Sequence, residues 1–220
     1  MLNEPKDKNN YYYILELKEW LPRVTQVLKV IAKGEAFDNW LKTKGSEATT
    51  LLTTAGDIGD SLHNRLEEIG KGIVINREAL QPLEKRWVLE FDQWKELNVE
   101  KFLETERTVF HPLHLYAGTL DSLVLLKDKR VALLDYKTSK YIYDTHELQV
   151  VAYVKAYEAL YNIKIDTAFI LNFSKDETKK TLLKVKEVND IDGQYEAWLH
   201  ALALWYWKFS KYQEFKKEDV

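Results

Sequence analysis

Apolar side chains change their spacing near position 99, and the change divides the chain into two textures. Before it they recur at helical intervals. The spacing predicts helices over residues 25–31, 35–42 and 46–69, separated by the breaks Lys33-Gly34 and Lys44-Gly45. Asn76 is placed to cap a further helix running to about Leu97, with Leu80, Leu83, Trp87, Phe91 and Trp94 at helical spacing. Pro82 fits the first turns of that helix, where a missing N–H costs least. Beyond position 99, residues 101–110, 115–126 and 130–137 are rich in β-branched and apolar side chains with short polar breaks, and read as three strands. Helical periodicity returns over 146–161 through Leu148, Val151, Ala152, Ala156 and Leu160. Two more strands, 165–173 and 181–188, and an aromatic-rich helix from Asp190 to about Phe215 complete the pattern.

Helix, three strands, helix, strand is an α/β order that implies a mixed sheet with helices packed on it. No repeat or low-complexity linker interrupts the 220 residues, so a single domain is expected. Within it, 1–98 would be the mainly helical region, 99–188 the sheet core and 189–220 the closing helix.

Composition narrows the picture by exclusion. An apolar fraction of 45% and a charged fraction of 30% are those of a soluble globular protein. No stretch approaches the roughly 18 uninterrupted apolar residues of a membrane span. Residues 1–10 are polar and charged, so they read as a frayed tail rather than a secretory signal, and a cytoplasmic location is expected. There is no cysteine, which excludes disulfides, zinc-thiolate sites and an iron–sulfur cluster. Any metal must be held by oxygen and imidazole. The net charge of −3 gives no global attraction for nucleic acid, so a basic surface would have to be local.

The chemistry concentrates in Gly118-Thr119-Leu120-Asp121 and Leu133-Leu134-Asp135-Tyr136-Lys137-Thr138-Ser139. Alternation along a strand puts Asp135 and Lys137 on one face. If 127–129 form a three-residue hairpin loop, Leu126 pairs with Arg130 and Asp121 falls opposite Asp135; a two-residue loop would put the aspartates on opposite faces. Adjacent carboxylates resist ionising together, and a divalent cation relieves the conflict. Hard oxygen ligands favour Mg²⁺ or Mn²⁺. Lys137 would supply positive charge to a phosphoryl transition state or position the attacking water. The flanking apolar runs 120–126 and 131–134 argue for buried strands rather than an exposed hairpin with scattered charges.

Taken together, the strand order, Gly-Thr-Leu-Asp, Asp-Tyr-Lys-Thr-Ser and the downstream Gln149-x-x-x-Tyr153 resemble the RecB-type branch of the PD-(D/E)XK nucleases. The resemblance covers roughly residues 55–157, and Leu21-Pro22-Arg23-Val24-Thr25-Gln26-Val27-Leu28 resembles the opening of the mitochondrial and phage-type members. It implies a restriction-endonuclease-like αβββαβ core with a mixed central sheet, preceded by a helical region that covers the active site. It also implies Asp121 and Asp135 as metal ligands, Lys137 as the catalytic lysine and His63 as a further ligand reaching in from an upstream helix. Asp60, His63 and Glu67 share one helical face, and Glu67 is expected to orient His63. Gln149 and Tyr153 are assigned to the DNA backbone or a metal-bound water, Thr138 and Ser139 to a phosphate oxygen, and Glu106 is an additional carboxylate on the preceding strand. Lacking cysteine, the chain departs from the cluster-bearing members and looks like the cluster-free phage or mitochondrial style.

Other candidates carry less. His111 and His114 read as loop or strand-edge residues, and His146 lacks supporting geometry. Trp198, Trp205, Trp207 and Phe209 read mostly as core, with one or two available to stack on bases. The expected activity is that of a metal-dependent DNA exonuclease acting on single-stranded DNA or free ends. Lys29, Lys33, Lys42, Lys44 and Arg65 would track phosphates. A structure-specific or restriction-type endonuclease, or a non-catalytic DNA-binding module, are the alternatives.

Overall fold

The computed structural model describes residues 8–31 and 34–214. It begins with an element that periodicity did not reveal, a hairpin of β1 (Tyr11–Ile14) and β2 (Glu19–Pro22), paired from Tyr11–Pro22 to Ile14–Glu19. Four-residue strands are too short to show alternation against a tail that reads as polar. The hairpin holds through a small core of its own, Ile14 and Leu21 against Ala117. Residues 8–10 form a 3₁₀ turn, and the rest of the expected tail lies outside the described residues.

The helix expected over 25–31 is a single α-turn, α1 (Val24–Val27), followed by a 3₁₀ turn over Leu28–Val30. Its β-branched Val24, Thr25, Val27, Val30 and Ile31 weaken the helix. Lys33, part of the expected break, lies outside the described residues. Next come α2 (Glu35–Lys44) and α3 (Glu47–Gly70), close to the expected spans. The helix expected from Asn76 is split. Asn76 Oδ1 accepts from the Glu78 amide and caps a 3₁₀ turn, Arg77–Ala79, while α4 (Pro82–Asn98) starts afresh with Pro82 in its first turn. The cause is Pro82 itself, which holds Gln81 extended at ψ 156°.

The sheet follows as β3 (Val99–His111), β4 (Tyr116–Leu126), β5 (Val131–Lys137), β6 (Thr167–Phe173) and β7 (Leu183–Glu187), in spatial order β3-β4-β5-β6-β7. Every pairing is antiparallel except β5 with β6, which are joined through α5 (Asp144–Tyr161). The helix, three strands, helix, strand order is therefore present, and the fold is the mixed α/β, restriction-endonuclease-like one. The closing helix, α6 (Ile191–Glu214), ends the described residues, and Phe215 lies outside them.

Two apolar layers sandwich the sheet. On one face Leu120, Leu123, Leu133 and Ile170 meet Val151 and Val154 of α5 and Trp198 and Trp205 of α6. On the other, Val124, Ala132, Leu134, Leu171 and Phe173 meet Leu62 and Leu66 of α3 and Trp87 and Phe91 of α4. Trp198 and Trp205 of α6 are buried, as expected, whereas Trp207 of the same helix is 56% exposed. Among the described residues, no helix is long and apolar enough to cross a membrane.

Candidate metal centre and active site

The site lies where three strands and α3 converge. On one side of β4, the pairs Thr105–Ser122 and Arg107–Leu120 leave Glu106 opposite Asp121. On the other side, the ladder runs from Leu125–Val131 to Ser122–Leu134, and one further step brings Asp121 opposite Asp135. The Leu126 amide donates to the Arg130 carbonyl at 2.9 Å, so the turn has three residues, as expected, with Lys129 at φ +73°. By register, Glu106, Asp121 and Asp135 thus form a row across β3, β4 and β5.

Regular pairing fails along this row. Glu106 takes φ +51°, a left-handed conformation costly for a residue with a Cβ. Leu120 and Leu123 both pack toward α5, while Val124 packs on the opposite face, so strict alternation breaks around Asp121. The Tyr136 amide donates to Asp121 Oδ2 at 2.6 Å and fixes that carboxylate. Such local irregularity lets Asp121 turn toward α3.

α3 meets it there. His63 Nδ1 lies 3.3 Å from Asp121 Oδ1, and the imidazole edge rests against the Tyr136 ring at 6.0 Å between centroids. The helix can come this close because two contact points are glycine. A Cβ at Gly59 would sit 3.2 Å from Thr138 Oγ1, and one at Gly70 only 2.7 Å from Thr105 Oγ1. Toward its N-terminal half, the Ala55 carbonyl accepts from Lys175 Nζ at 2.8 Å.

Ligand atoms of His63, Glu106 and Asp121 all lie within 4.8 Å of one another. Beside them Lys137 Nζ is 2.6 Å from Asp135 Oδ2. Asp135 is only 1% exposed, and among the described residues neither of its oxygens has an aligned hydrogen-bond donor. The electrostatics are those of crowded acids. Burial, with the charges of Asp121 and Glu67 adding to it, pushes the Glu106 carboxyl up to about 7. Burial also raises Asp135, Lys137 opposing it and Asp121 reinforcing it. Burial would raise Asp121 too, but His63, Lys137 and the Tyr136 amide outweigh it and hold this carboxyl low. His63 goes the other way: burial disfavours its proton, yet Asp121 more than compensates and its pKa rises. A buried carboxylate met by a single lysine, beside two further acids and an imidazole, is a donor set that suits a divalent cation. The residues present fit such an ion.

The remaining expected residues divide. Gln149 Nε2 donates to Tyr153 Oη at 3.0 Å on α5, and the edge of the Tyr153 ring abuts Gly118, where any Cβ would overlap it. Gly118→Ala should therefore destabilise the protein by about 1–3 kcal/mol through overpacking. Thermal unfolding checks this, and an unchanged melting temperature would contradict the contact. Glu67 does not orient His63. One turn of helix directs it to an ion pair with Lys71 instead. The Ser139 hydroxyl is engaged by the Tyr141 carbonyl at 2.5 Å and Asn172 Oδ1 at 3.1 Å, so it braces a loop rather than standing open for phosphate. Arg65 is paired with Glu68 and Glu84, whereas Lys29, Lys42 and Lys44 are exposed.

His111 ends β3 and stacks on His114 at 4.2 Å, away from the carboxylates, and His114 Nδ1 shares a hydrogen bond with Tyr195 Oη at 2.7 Å. Sequence reasoning underrated Glu106. The register that aligns Asp121 with Asp135 was legible, but the one aligning Glu106 depends on bulges earlier in β3. It missed the Tyr136 amide and the hairpin altogether, and Tyr12 Oη of that hairpin reaches Thr119 Oγ1 at 2.9 Å.

No family model and no curated protein matches the chain. Among solved structures it is similar to LHK-Exo in complex with dAMP, at 12% identity over 90% of this chain and 92% of that one, with a TM-score of 0.43. The alkaline exonuclease LHK-Exo from Laribacter hongkongensis matches at 12% identity over 88% and 93%, TM-score 0.36. A protein named SSO0001 matches at 17% over 82% and 71%, TM-score 0.41. Likenesses this distant fix neither family nor activity.

Proposed function

We propose that the chain is a divalent-metal-dependent deoxyribonuclease of the PD-(D/E)XK superfamily, RecB-like and cluster-free in style. The observation that carries this reading is the carboxylate row Glu106–Asp121–Asp135, joined by His63 and ending on Lys137. His63, Glu106, Asp121 and Asp135 would hold Mg²⁺ or Mn²⁺. When bound, such an ion polarises a phosphoryl oxygen and lowers the pKa of a water. The Tyr136 amide orients Asp121, and α3 fixes the height of His63 above it. Lys137 presents a positive charge where the phosphorane-like transition state gathers negative charge. Tyr153 and Gln149 close the α5 side of the centre and give the DNA backbone hydrogen-bonding groups, and Thr138 offers a hydroxyl at the α3 side. The alternative in which the fold only binds DNA is disfavoured by the intact Asp121, Asp135 and Lys137.

The same reading favours an exonuclease that takes single-stranded or frayed ends. α3 lies against the central strands, meeting Thr138 at Gly59 and Asp121 at His63, and Tyr12 of the hairpin reaches Thr119. A flexible strand can thread a site bordered in this way, whereas a duplex with a persistence length of about 150 bp cannot bend into it. End-labelled linear DNA and covalently closed circles, single- and double-stranded, test this with Mg²⁺ or Mn²⁺ present. Linear single strands should be degraded under conditions that leave closed circles intact. Comparable loss of both would replace the exonuclease by an endonuclease on the same core.

A further inference from the structure

Between β5 and α5 the chain makes a short loop that leaves Lys137 and presents two rings to solvent, Tyr141 at 59% and Tyr143 at 47% exposure. Single exposed tyrosines are ordinary on a protein surface. These two are held. Ser139 Oγ donates to the Tyr141 carbonyl, and Asn172 Nδ2 of β6 donates to the Ser139 carbonyl at 3.0 Å. Ile142, between the tyrosines, packs into the α5-side core, so its neighbours must point outward. The Tyr143 amide donates to His146 Nδ1 at 3.3 Å, fixing the loop to the first turn of α5.

The rings form a series along the loop that follows Lys137. Burial, with the charge of Lys137 adding to it, lowers the pKa of His146 to about 4. Tyr143 meets the His146 ring edge-on at 5.3 Å, and Tyr141 meets Tyr143 edge-on at 6.3 Å. Lys140 Nζ lies 5.3 Å from the centre of the Tyr141 ring. A braced aromatic step with a cation at its outer end matches a strand of unpaired nucleotides, whose bases offer flat faces and whose phosphates offer negative charge.

We propose that Tyr141 and Tyr143 are a base-stacking platform for unpaired nucleobases beside the phosphodiester engaged at the carboxylate centre, with Lys140 taking a neighbouring phosphate. This rests on the deoxyribonuclease reading and adds to it how an unpaired strand is gripped without regard to sequence. The tyrosines are positioning residues and touch no reacting atom. Stacking requires the ring and not the hydroxyl, so phenylalanine should replace either one.

Fluorescence anisotropy with a labelled oligothymidylate and no divalent ion reads the platform independently of cleavage. Tyr141→Ala and Tyr143→Ala should each weaken binding by roughly 5- to 150-fold, the range for loss of one base–ring stack. Tyr141→Phe and Tyr143→Phe should bind as the unaltered protein does. An oligonucleotide of abasic residues should bind the unaltered protein weakly, with no further loss in the alanine variants, because the two changes remove the same contact. In cleavage assays KM should rise while kcat holds. Equal binding by the alanine variants, or an abasic strand bound as tightly as oligothymidylate, would overturn the platform. If binding falls as expected but no divalent ion elicits cleavage from the unaltered protein, the platform stands and the nuclease reading falls.

Discussion

Lys137→Ala is expected to lower the rate of DNA cleavage by roughly 10²- to 10³-fold, the cost of removing one preorganised charge from a transition state. The loss should appear in kcat, with oligonucleotide affinity little changed, because the lysine sits beside Asp135 at the centre rather than along the strand path. Removing the lysine also leaves Asp135 buried without its counter-ion, and breaking a buried pair is ordinarily destabilising. Here the cost is limited. Burial already raises the Asp135 pKa, so the carboxyl can take a proton instead of remaining an uncompensated charge. Cooperative thermal unfolding of the variant would separate lost chemistry from lost fold. Asp135→Ala should be equally inactive, since on the proposed reading it deletes a metal ligand rather than a charge stabiliser. A Lys137→Ala protein that cuts DNA at the unaltered rate would remove the basis for the nuclease assignment.

The second large effect concerns stability. Folding raises the Glu106 carboxyl from 4.5 to about 7 through burial and the nearby Asp121. A carboxyl that holds its proton more tightly when folded adds stability below its unfolded pKa, and that stability is lost as pH rises through the folded value. Between about pH 4.5 and 7 the metal-free protein should therefore become progressively less stable on this account. Glu106→Gln removes the repulsion, so without metal the variant should melt above the unaltered protein at about pH 8 and show no such advantage by about pH 5. Added Mn²⁺ should invert the order. At a hundred times its dissociation constant a ligand stabilises the folded state by about 2.7 kcal/mol, and the variant, short of one carboxylate, would gain less. Differential scanning fluorimetry with and without a chelator measures both. Identical melting of the two proteins at high pH, whether or not Mn²⁺ is present, would exclude Glu106 from the centre.

Much of this was legible because it is local. Runs of β-branched and apolar residues mark β3, β4 and β5, and the three residues between Leu126 and Arg130 fix the β4–β5 register, which continued one step past Ser122–Leu134 sets Asp121 opposite Asp135. Pro82 lay in plain view, but its effect falls on Gln81, where it ends one short turn and starts α4. What stayed hidden depends on distant packing. The β1–β2 hairpin owes its stability to Ala117 on β4, so its own residues announce little. Glu67 shares a helical face with His63, and periodicity cannot say that Lys71 would claim it. Glu106 reaches Asp121 only because β3 shifts register twice and then turns left-handed at that residue.

A site spread over α3, β3, β4 and β5 also has a history within each molecule. As the chain emerges during synthesis, His63 appears first, then Glu106 and Asp121, and Asp135 and Lys137 last. β5 is buried on both faces and flanked by β6, so its burial is complete only after α5 has carried the chain across to form the parallel pair. Parallel pairing of this kind is a late, long-range event in folding. Until then Asp135 and Lys137 lack the neighbours that bury them, and the row of carboxylates is one member short. On the proposed nuclease reading, a polypeptide that stalls short of Asp135 would have no means of cutting the nucleic acid around it.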